Sequence, residues 1–342
     1  PWMSLLSGPT PVDHWPGPGA SRLLIKRDDL ADGRYGGNKA RKIEFILGDL
    51  QAKGRTSLWT VGGLCSNHCT AAAIYGRAAG LDVRLFYLPT PMTLDELELL
   101  KVQAFLGSHQ RMLPLVGMEE WRLLLKGLQS GGGGPYLVPP GGSSTAGVFG
   151  FISAGLELSA QVYSGEVPAP DVLYIAGASL GTVMGLRMGL QLGRLETKVI
   201  MVETVTPFWQ QARTLLPTPY LAYRRLQRLL TDARSVLPSF RSLAQERDRR
   251  FEQLEVGETS PAVERAIVRG REEFGIELDS HFSGKAFAAM LEDLEGGRHA
   301  GKTILFWHTH GKTPASLLDD MRKSDVHLPA AVEAAAARNL KR

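Results

Sequence analysis

The sequence predicts an α/β fold: two open, twisted, mostly parallel sheets flanked by helices. Three observations carry this. Short apolar runs of strand length alternate with helical stretches from residue 57 to residue 203. The alternation returns after Ser260 and closes on a strand at Thr303–Trp307. Glycine-containing turns join strand to helix at Gly62-Gly63 and at Gly177–Thr182, where βα units place them. The 342 residues, 44% of them hydrophobic, suffice for one large or two ordinary cores. The expected division is a larger unit, 1–47 plus 150–342, with a smaller one inserted at 48–149.

Taken in order, residues 1–20 carry Pro9, Pro11, Pro16, Pro18, Gly17 and Gly19 and read as an irregular arm over a body. Leu23-Leu24-Ile25 is a short strand, followed by Lys26-Arg27-Asp28-Asp29. The Gly36-Gly37 loop then opens a helix whose apolar residues, Ile43, Ile46, Leu47 and Leu50, fall at i, i+3, i+4 and i+7, ending near Gly54. Ser57–Val61 is a strand, and Ser66 or Asn67 caps an Ala-rich helix closed by Gly80. Val83–Leu88 is a strand. Thr93 and Glu96 form a capping-box pattern for a helix to Leu106. A strand near Met112-Leu113, a helix at about Met118–Leu128 and a flexible connector at Gly131–Gly134 follow. Tyr136-Leu137-Val138 is a strand, and Thr145–Tyr163 a long helix. Val172–Ala176 is a buried strand, followed by a helix to Leu192 and a strand at Lys198–Glu203. Residues 207–255 read as helical, Arg-rich and without a strand. Arg224, Arg225 and Arg228 are taken as a solvated helix face rather than a basic patch. There is no tandem repeat.

The net charge of +4 is small for this length and gives no ground for a nucleic-acid or membrane partner. No apolar run approaches a membrane span. Pro1-Trp2-Met3-Ser4 does not begin a secretory signal, so a cytoplasmic location is expected. Cys65 and Cys69 could share a helix face at i, i+4, but two thiols make neither a disulfide framework nor a zinc site, so reduced thiols and no metal are expected.

The chemistry concentrates at Lys39 and three later loops. Lys39 begins a rigid helix beside two glycines, where backbone can approach a ligand closely, and is a candidate for imine formation with a carbonyl cofactor. Arg41 and Lys42 read as ordinary solvated residues. Gly177–Thr182 follows a buried strand and opens a helix, the size and kind of site that takes one phosphate; it lacks the spacing of a dinucleotide or nucleotide loop. Ser66-Asn67-His68 offers helix-start N–H groups, an amide and a hydroxyl for a carboxylate. His68 is either a base or a packed, hydrogen-bonded histidine, the second preferred. His308-Thr309-His310-Gly311 ends the last strand, and two histidines without a carboxylate or third histidine at ligand spacing suit a ring nitrogen better than a metal. A lysine, one monophosphate cradle and polar groups around a planar ring describe pyridoxal 5′-phosphate.

Lys26–Asp29, Gly36–Phe45, Thr60–Gly63 with Ser66-Asn67-His68, Gly141–Ser144, Ser179–Leu186, Gly284-Lys285-Ala286 and His308-Thr309 resemble the 1-aminocyclopropane-1-carboxylate deaminase / D-cysteine desulfhydrase family, fold-type II (tryptophan-synthase-β-like) pyridoxal-phosphate enzymes. The resemblance implies that Lys39 is the Schiff-base lysine and, with Ser66, catalytic. Asn67 would bind the ring's phenolic oxygen, Ser179, Gly181 and Thr182 the phosphate, and Thr309 the pyridine nitrogen. Ser66, Asn67, His68 and Phe282 would face a small, D- or L-amino acid undergoing α,β-elimination. β-Replacement, racemisation or ligand binding without catalysis are the alternatives, and a homodimer is expected by resemblance. The chain departs from the family pattern: Cys65 replaces a usual Gln, Ala178 and Leu180 usual glycines, Phe282 a usual tyrosine, and His310 a usual glycine. A second tyrosine expected near Gly257–Pro261 is absent. These departures argue against cyclopropane ring opening. They leave the phosphate cradle dependent on a negative φ at Leu180.

Overall fold

The computed structural model describes residues 1–17, 21–113, 134–205, 218–230, 236–243, 247–254 and 258–340. The helix expected at about Met118–Leu128, residues 131–133 of the connector, Gly257 and parts of the Arg-rich stretch lie outside the described residues. The larger sheet is built from β1 (Val12–Pro16), β2 (Arg22–Arg27), β7 (Val172–Gly177), β8 (Lys198–Glu203), β9 (Arg247–Asp248) and β10 (Thr303–His308). The smaller is built from β3 (Ser57–Gly63), β4 (Asp82–Leu88), β5 (His109–Met112) and β6 (Tyr136–Val138). Strand orders are β1-β2-β10-β7-β8-β9 and β5-β4-β3-β6. Every pairing is parallel except that of β1 with β2. The expected fold class is the observed one.

Among the described residues the helices of eight residues or more are α1 (Gly37–Ala52), α2 (Asn67–Ala78), α3 (Leu94–Phe105), α4 (Thr145–Tyr163), α5 (Gly181–Leu192), α6 (Thr218–Leu229), α7 (Pro261–Phe274), α8 (Ser283–Glu295), α9 (Ala315–Arg322) and α10 (Ala330–Asn339). Thr93 and Glu96 do form a capping box, Glu96 N donating to Thr93 Oγ1 at 3.4 Å and Thr93 N to Glu96 Oε2 at 2.7 Å. The central strand β7 is apolar throughout because both its faces are covered. Ile43, Ile46, Leu47 and Leu50 of α1 bury against the side of the smaller sheet, sharing a cluster with Leu58, Leu85 and Tyr87. Val332, Ala335 and Ala336 of α10 join that same cluster, so the last helix packs with the smaller sheet although the expected division places 150–342 in the larger unit. Arg224, Arg225 and Arg228 on α6 are exposed.

Several local expectations are corrected. The N-terminal arm contains a strand, β1, whose Trp15 packs edge-on to Phe274 at 5.3 Å; its edge position tolerates Pro16. The Arg-rich stretch contributes the two-residue edge strand β9, too short to leave a periodic signal. Cys65 precedes α2, so it and Cys69 do not share that helix; both are free, buried thiols. Most consequentially, Arg41 and Lys42 are not solvated: Arg41 is 3% and Lys42 0% exposed.

Arg41 sits in a buried ion network. Its guanidinium donates to Asp28 Oδ1 at 2.8 and 2.9 Å and to Glu157 Oε2 at 2.8 Å. Lys26 Nζ donates to Glu157 Oε1, Gln161 Oε1 and Thr10 O, each at 2.6 Å. Trp307 Nε1 completes the shell of Asp28 at 2.7 Å. The network ties β2, α1, α4 and β10 together, and its charges are tolerated in the interior because each has partners. Burial would raise the Glu157 carboxyl, but Arg41 and Lys26 outweigh that and hold it at about 2 against an ordinary 4.5.

Removing one partner of such a network leaves a buried charge short of partners, so Asp28→Ala is expected to lower unfolding free energy by about 3 kcal/mol in urea titration. Arg322→Ala, which breaks the exposed pair with Glu98, should leave the midpoint unchanged. Because the folded Glu157 value is depressed, its contribution is full above 4.5 and lost as pH falls toward about 2. The acid-side slope of stability against pH should flatten over that window in Glu157→Gln.

Candidate active site

The carboxyl ends of β2, β3, β7 and β10 open on one cavity of about 250 Å³, the position where parallel α/β sheets hold ligands. The turn after β2 is forced by glycine. Gly36 and Gly37 both have φ +69°. A Cβ on Gly36 would lie 2.3 Å from Asp29 O, and one on Gly37 2.6 Å from Gly311 N. Only glycine fits both the conformation and the space. The turn brings the first turn of α1 against the loop after β10, Asn38 N donating to Thr309 O at 3.1 Å. Lys39 therefore projects into the cavity beside Thr309. Its amine makes no hydrogen bond among the described residues. Burial pulls it down to about 8 from 10.5, against the opposing charge of Asp279.

The loop after β3 places Ser66 at the cavity wall as the N-cap of α2, its Oγ accepting from Cys69 N at 3.3 Å. Gly62 permits this approach, since a Cβ there would lie 2.5 Å from Ser66 Oγ. Asn67 Oδ1 accepts from Tyr35 OH at 3.3 Å, which leaves the amide Nδ2 for a ligand. His68 is packed, as preferred above: it is 2% exposed and its Nε2 lies 3.0 Å from Thr60 Oγ1. Burial first, then the neighbouring Lys39 and Lys42, hold its ring well below its ordinary value and so neutral.

The loop after β7 lines the cavity with Ser179, Leu180 and Thr182. Ser143 Oγ donates to Ser179 Oγ at 2.7 Å, and a Cβ on Gly181 would lie 2.4 Å from Ser143 Oγ. Leu180 has φ +63°, in the left-handed region, so the negative φ on which the cradle was expected to depend is not the one observed. Leucine there bears a strain of about 1–2 kcal/mol while keeping the turn a glycine would make. Helix α5 begins without a side-chain cap; Gly181 N donates to Ser179 O at 2.9 Å, and the N–H groups of Thr182 and Val183 remain available to an anion.

At the loop after β10, Thr309 lines the cavity, whereas the two histidines turn elsewhere. His308 lies 2.9 Å from Asp29 Oδ1 and 2.8 Å from Glu277 O, and His310 Nδ1 lies 3.3 Å from Asp279 Oδ2. Phe282 lines the wall and offers no hydroxyl.

The structure thus brings Lys39, Ser66, Asn67, His68, Ser179, Thr182, Thr309 and Phe282 to one cavity, with Gly181 just behind it. Sequence reading missed Tyr35, Lys42 and Asp279. Lys42 Nζ donates to Gly141 O at 2.9 Å and so supports the loop carrying Ser143. Asp279 accepts from Phe282 N at 2.6 Å and Ser283 Oγ at 2.6 Å, pinning the wall. Burial would raise its carboxyl, but the His310 and His281 imidazoles and Ser283 keep it far below the usual carboxylate range. Its spacing before a helix was the one signal available. An unpaired, partly neutral lysine, an uncapped helix N-terminus and a fixed amide fit pyridoxal phosphate.

A mitochondrial bifunctional D-cysteine desulfhydrase/1-aminocyclopropane-1-carboxylate deaminase of Arabidopsis thaliana is 29% identical over 325 residues, covering 90% of this chain and 78% of that one. Nocardicin C-9′ epimerase of Nocardia uniformis is 29% identical over 315 residues, covering 90% and 92%. A crystal structure of an ACC deaminase homologue superimposes with a TM-score of 0.71 at 25% identity, covering 94% and 96% of the two chains. Residues 3–310 match the family described as pyridoxal-phosphate dependent enzyme, a span that holds Lys39 and the loops after β3 and β7 and runs into that after β10. The chain belongs to the pyridoxal-phosphate dependent enzyme family.

Proposed function

We propose that this chain is a pyridoxal-phosphate-dependent lyase that acts on a small amino acid, D-cysteine or a close analogue, by α,β-elimination. The observation that carries the reading is Lys39, an unbonded amine held at about 8 in a cavity that also collects Ser66, Asn67, Ser179 and Thr309. When bound, the cofactor supplies a sink for the electron pair left on the substrate's α-carbon. Lys39 Nζ is the amine that would hold it; free of it, the same nitrogen is placed to take the α-proton as a general base, with a proton affinity suited to neutral pH. Asp279 nearby favours the protonated amine that results. The Ser66 hydroxyl and the first N–H groups of α2 would bind the substrate carboxylate. Asn67 Nδ2 would hold the ring's phenolic oxygen, and Ser179, Gly181 and Thr182 with the start of α5 the phosphate. Thr309 would face the ring nitrogen with a neutral hydroxyl. His68, neutral and packed, and Phe282 would shape the substrate end and exclude water. A homodimer and a cytoplasmic location belong to the same reading; among the described residues no helix is long and apolar enough to cross a membrane.

A second reading, racemisation, is favoured by one observation: the epimerase relative is as similar as the desulfhydrase one. Product analysis separates them. With D-cysteine, elimination yields pyruvate, ammonia and sulfide in equal amounts. Appearance of the mirror-image amino acid with solvent hydrogen at Cα, and no pyruvate, would sink the lyase reading. 1-Aminocyclopropane-1-carboxylate should remain intact, because Phe282 brings no hydroxyl to its ring.

Lys39→Ala should lower turnover by at least about 10²–10⁴-fold, the range for a lost general base. Uptake of the cofactor by the stripped protein should quicken with pH and level off, with a midpoint at about 8, because only the neutral Lys39 amine adds to a carbonyl. Stopped-flow absorbance across pH reads that midpoint.

A further inference from the structure

Beside the cavity, on the far side of Cys65, three potential ligands converge that the proposed reaction does not use. Cys65 Sγ, a Glu96 carboxylate oxygen and a His281 ring nitrogen all lie within 4.8 Å of one another, and all three residues are buried. They come from separate parts of the chain: the loop after β3, the first turn of α3, and the loop before α8. Cys65 is the residue that stands where the resembling family usually has Gln.

The histidine is the informative member. It is 3% exposed, yet neither of its ring nitrogens makes a hydrogen bond among the described residues, even though Nε2 abuts the Glu96 carboxylate. Leaving a buried imidazole unbonded is costly. A simple His–Glu pair would aim its N–H at the carboxylate oxygen. Here Nε2 and the Glu96 oxygen are pressed closer together than two ligands of one ion stand, so the pair would part to admit an ion between them. Glu96 is already fixed for such a role: Oε2 accepts from Thr93 N at 2.7 Å in the capping box, which leaves Oε1 toward His281.

We propose that Cys65, Glu96 and His281 form a binding site for a zinc-class divalent cation. A thiolate, an imidazole and a carboxylate are the ligands zinc selects, whereas magnesium or calcium would take oxygens only. Ligand atoms on tetrahedral zinc lie about 3.3–3.8 Å apart, from bonds of about 2.0–2.3 Å. The widest separation here therefore closes by no more than about 1.5 Å, and the His281–Glu96 contact opens by about 1 Å. On binding, the Cys65 thiol loses its proton to solvent, a sulfur–metal bond forms, and no redox change is involved. Three protein ligands leave a fourth position for water or a substrate atom. Cys65 and Thr90, which approach to 3.6 Å, both line the cavity, so that position faces the substrate end. The ion would also bind the smaller-sheet side of the cleft to the loop that carries Phe282. The site is independent of which reaction the lysine performs.

The holoenzyme, stripped by a chelator that leaves the cofactor absorbance intact and then dialysed against zinc alone, is expected to retain one zinc per chain. Its zinc X-ray absorption should show one sulfur at about 2.3 Å with nitrogen and oxygen at about 2.0–2.2 Å. Cys65→Ser should remove the sulfur shell while Cys69→Ser keeps it. His281→Gln and Glu96→Gln should each weaken binding at least about 10-fold, no less than losing an outer-shell partner does. Failure of the unaltered protein to retain stoichiometric zinc, or a zinc without sulfur, overturns the site whatever the variants do. A sulfur shell that survives Cys65→Ser overturns it as well.

Discussion

The Arg41 guanidinium, shared between Asp28 and Glu157, is the contact on which the rest of this structure depends. Asp28 follows β2, Arg41 lies on α1, and Glu157 on α4, so one side chain fixes three elements at the base of the cleft. Lys39 sits two residues earlier on the same helix. Any shift of α1 along its axis would move the amine and break the guanidinium bonds together. Burying four charges costs much in desolvation, and interior ion pairs seldom repay that in stability alone. Here they fix the register of α1 against the larger sheet, while the opposite, apolar face of α1 packs under the smaller one. The helix thereby belongs to both cores, and its first turn is set where they meet.

Glycine supplies the space that the charges cannot. At Gly36 and Gly37 the chain needs φ near +69° and lies against the backbone of Asp29 and Gly311. The loops after β2 and β10 can then touch, through Asn38 N and Thr309 O. At Leu180 a positive φ is likewise held, without glycine and at the cost of strain. That contrast is instructive. The α5 turn keeps its shape because Ser143, supported by Lys42, braces it from behind. The brace lets a leucine occupy a position that on steric grounds favours glycine.

Much of this was legible in the sequence. Strand and helix alternated with clear periods, so the class of fold and both parallel sheets followed, and the long helix α4 and the strand β8 have the bounds that their apolar runs suggest. Lys39 and the loops after β3, β7 and β10 were legible because each combines a glycine with a polar group at a strand-to-helix turn. What was not legible shares one cause. Burial of Arg41 and Lys42, the bond from Tyr35 to Asn67 and the placement of Asp279 are set by partners more than 30 residues away, or by loops without periodicity. Local reading ranks a charged residue at a helix start as solvated, and nothing in its neighbours reports a carboxylate on α4. Likewise β1 and β9 are edge strands whose pairing partners, not their composition, make them strands.

The cavity's charge balance follows from the same packing. Lys39 and Lys42 lie one helical step apart, both out of water, with His68 across from them, so each cation disfavours the others. Lys42 resolves this by bonding the Gly141 carbonyl, and His68 by staying neutral against Thr60. Lys39 has neither outlet. Among the described residues its one counterweight is Asp279, which also accepts from Ser283 and faces His310. An amine left without a full counter-ion in a dry site is one that gives up its proton readily. His310 Nδ1 stands 3.3 Å from the Asp279 carboxylate, so the departure after Thr309 meets the group that faces Lys39 rather than the amine itself.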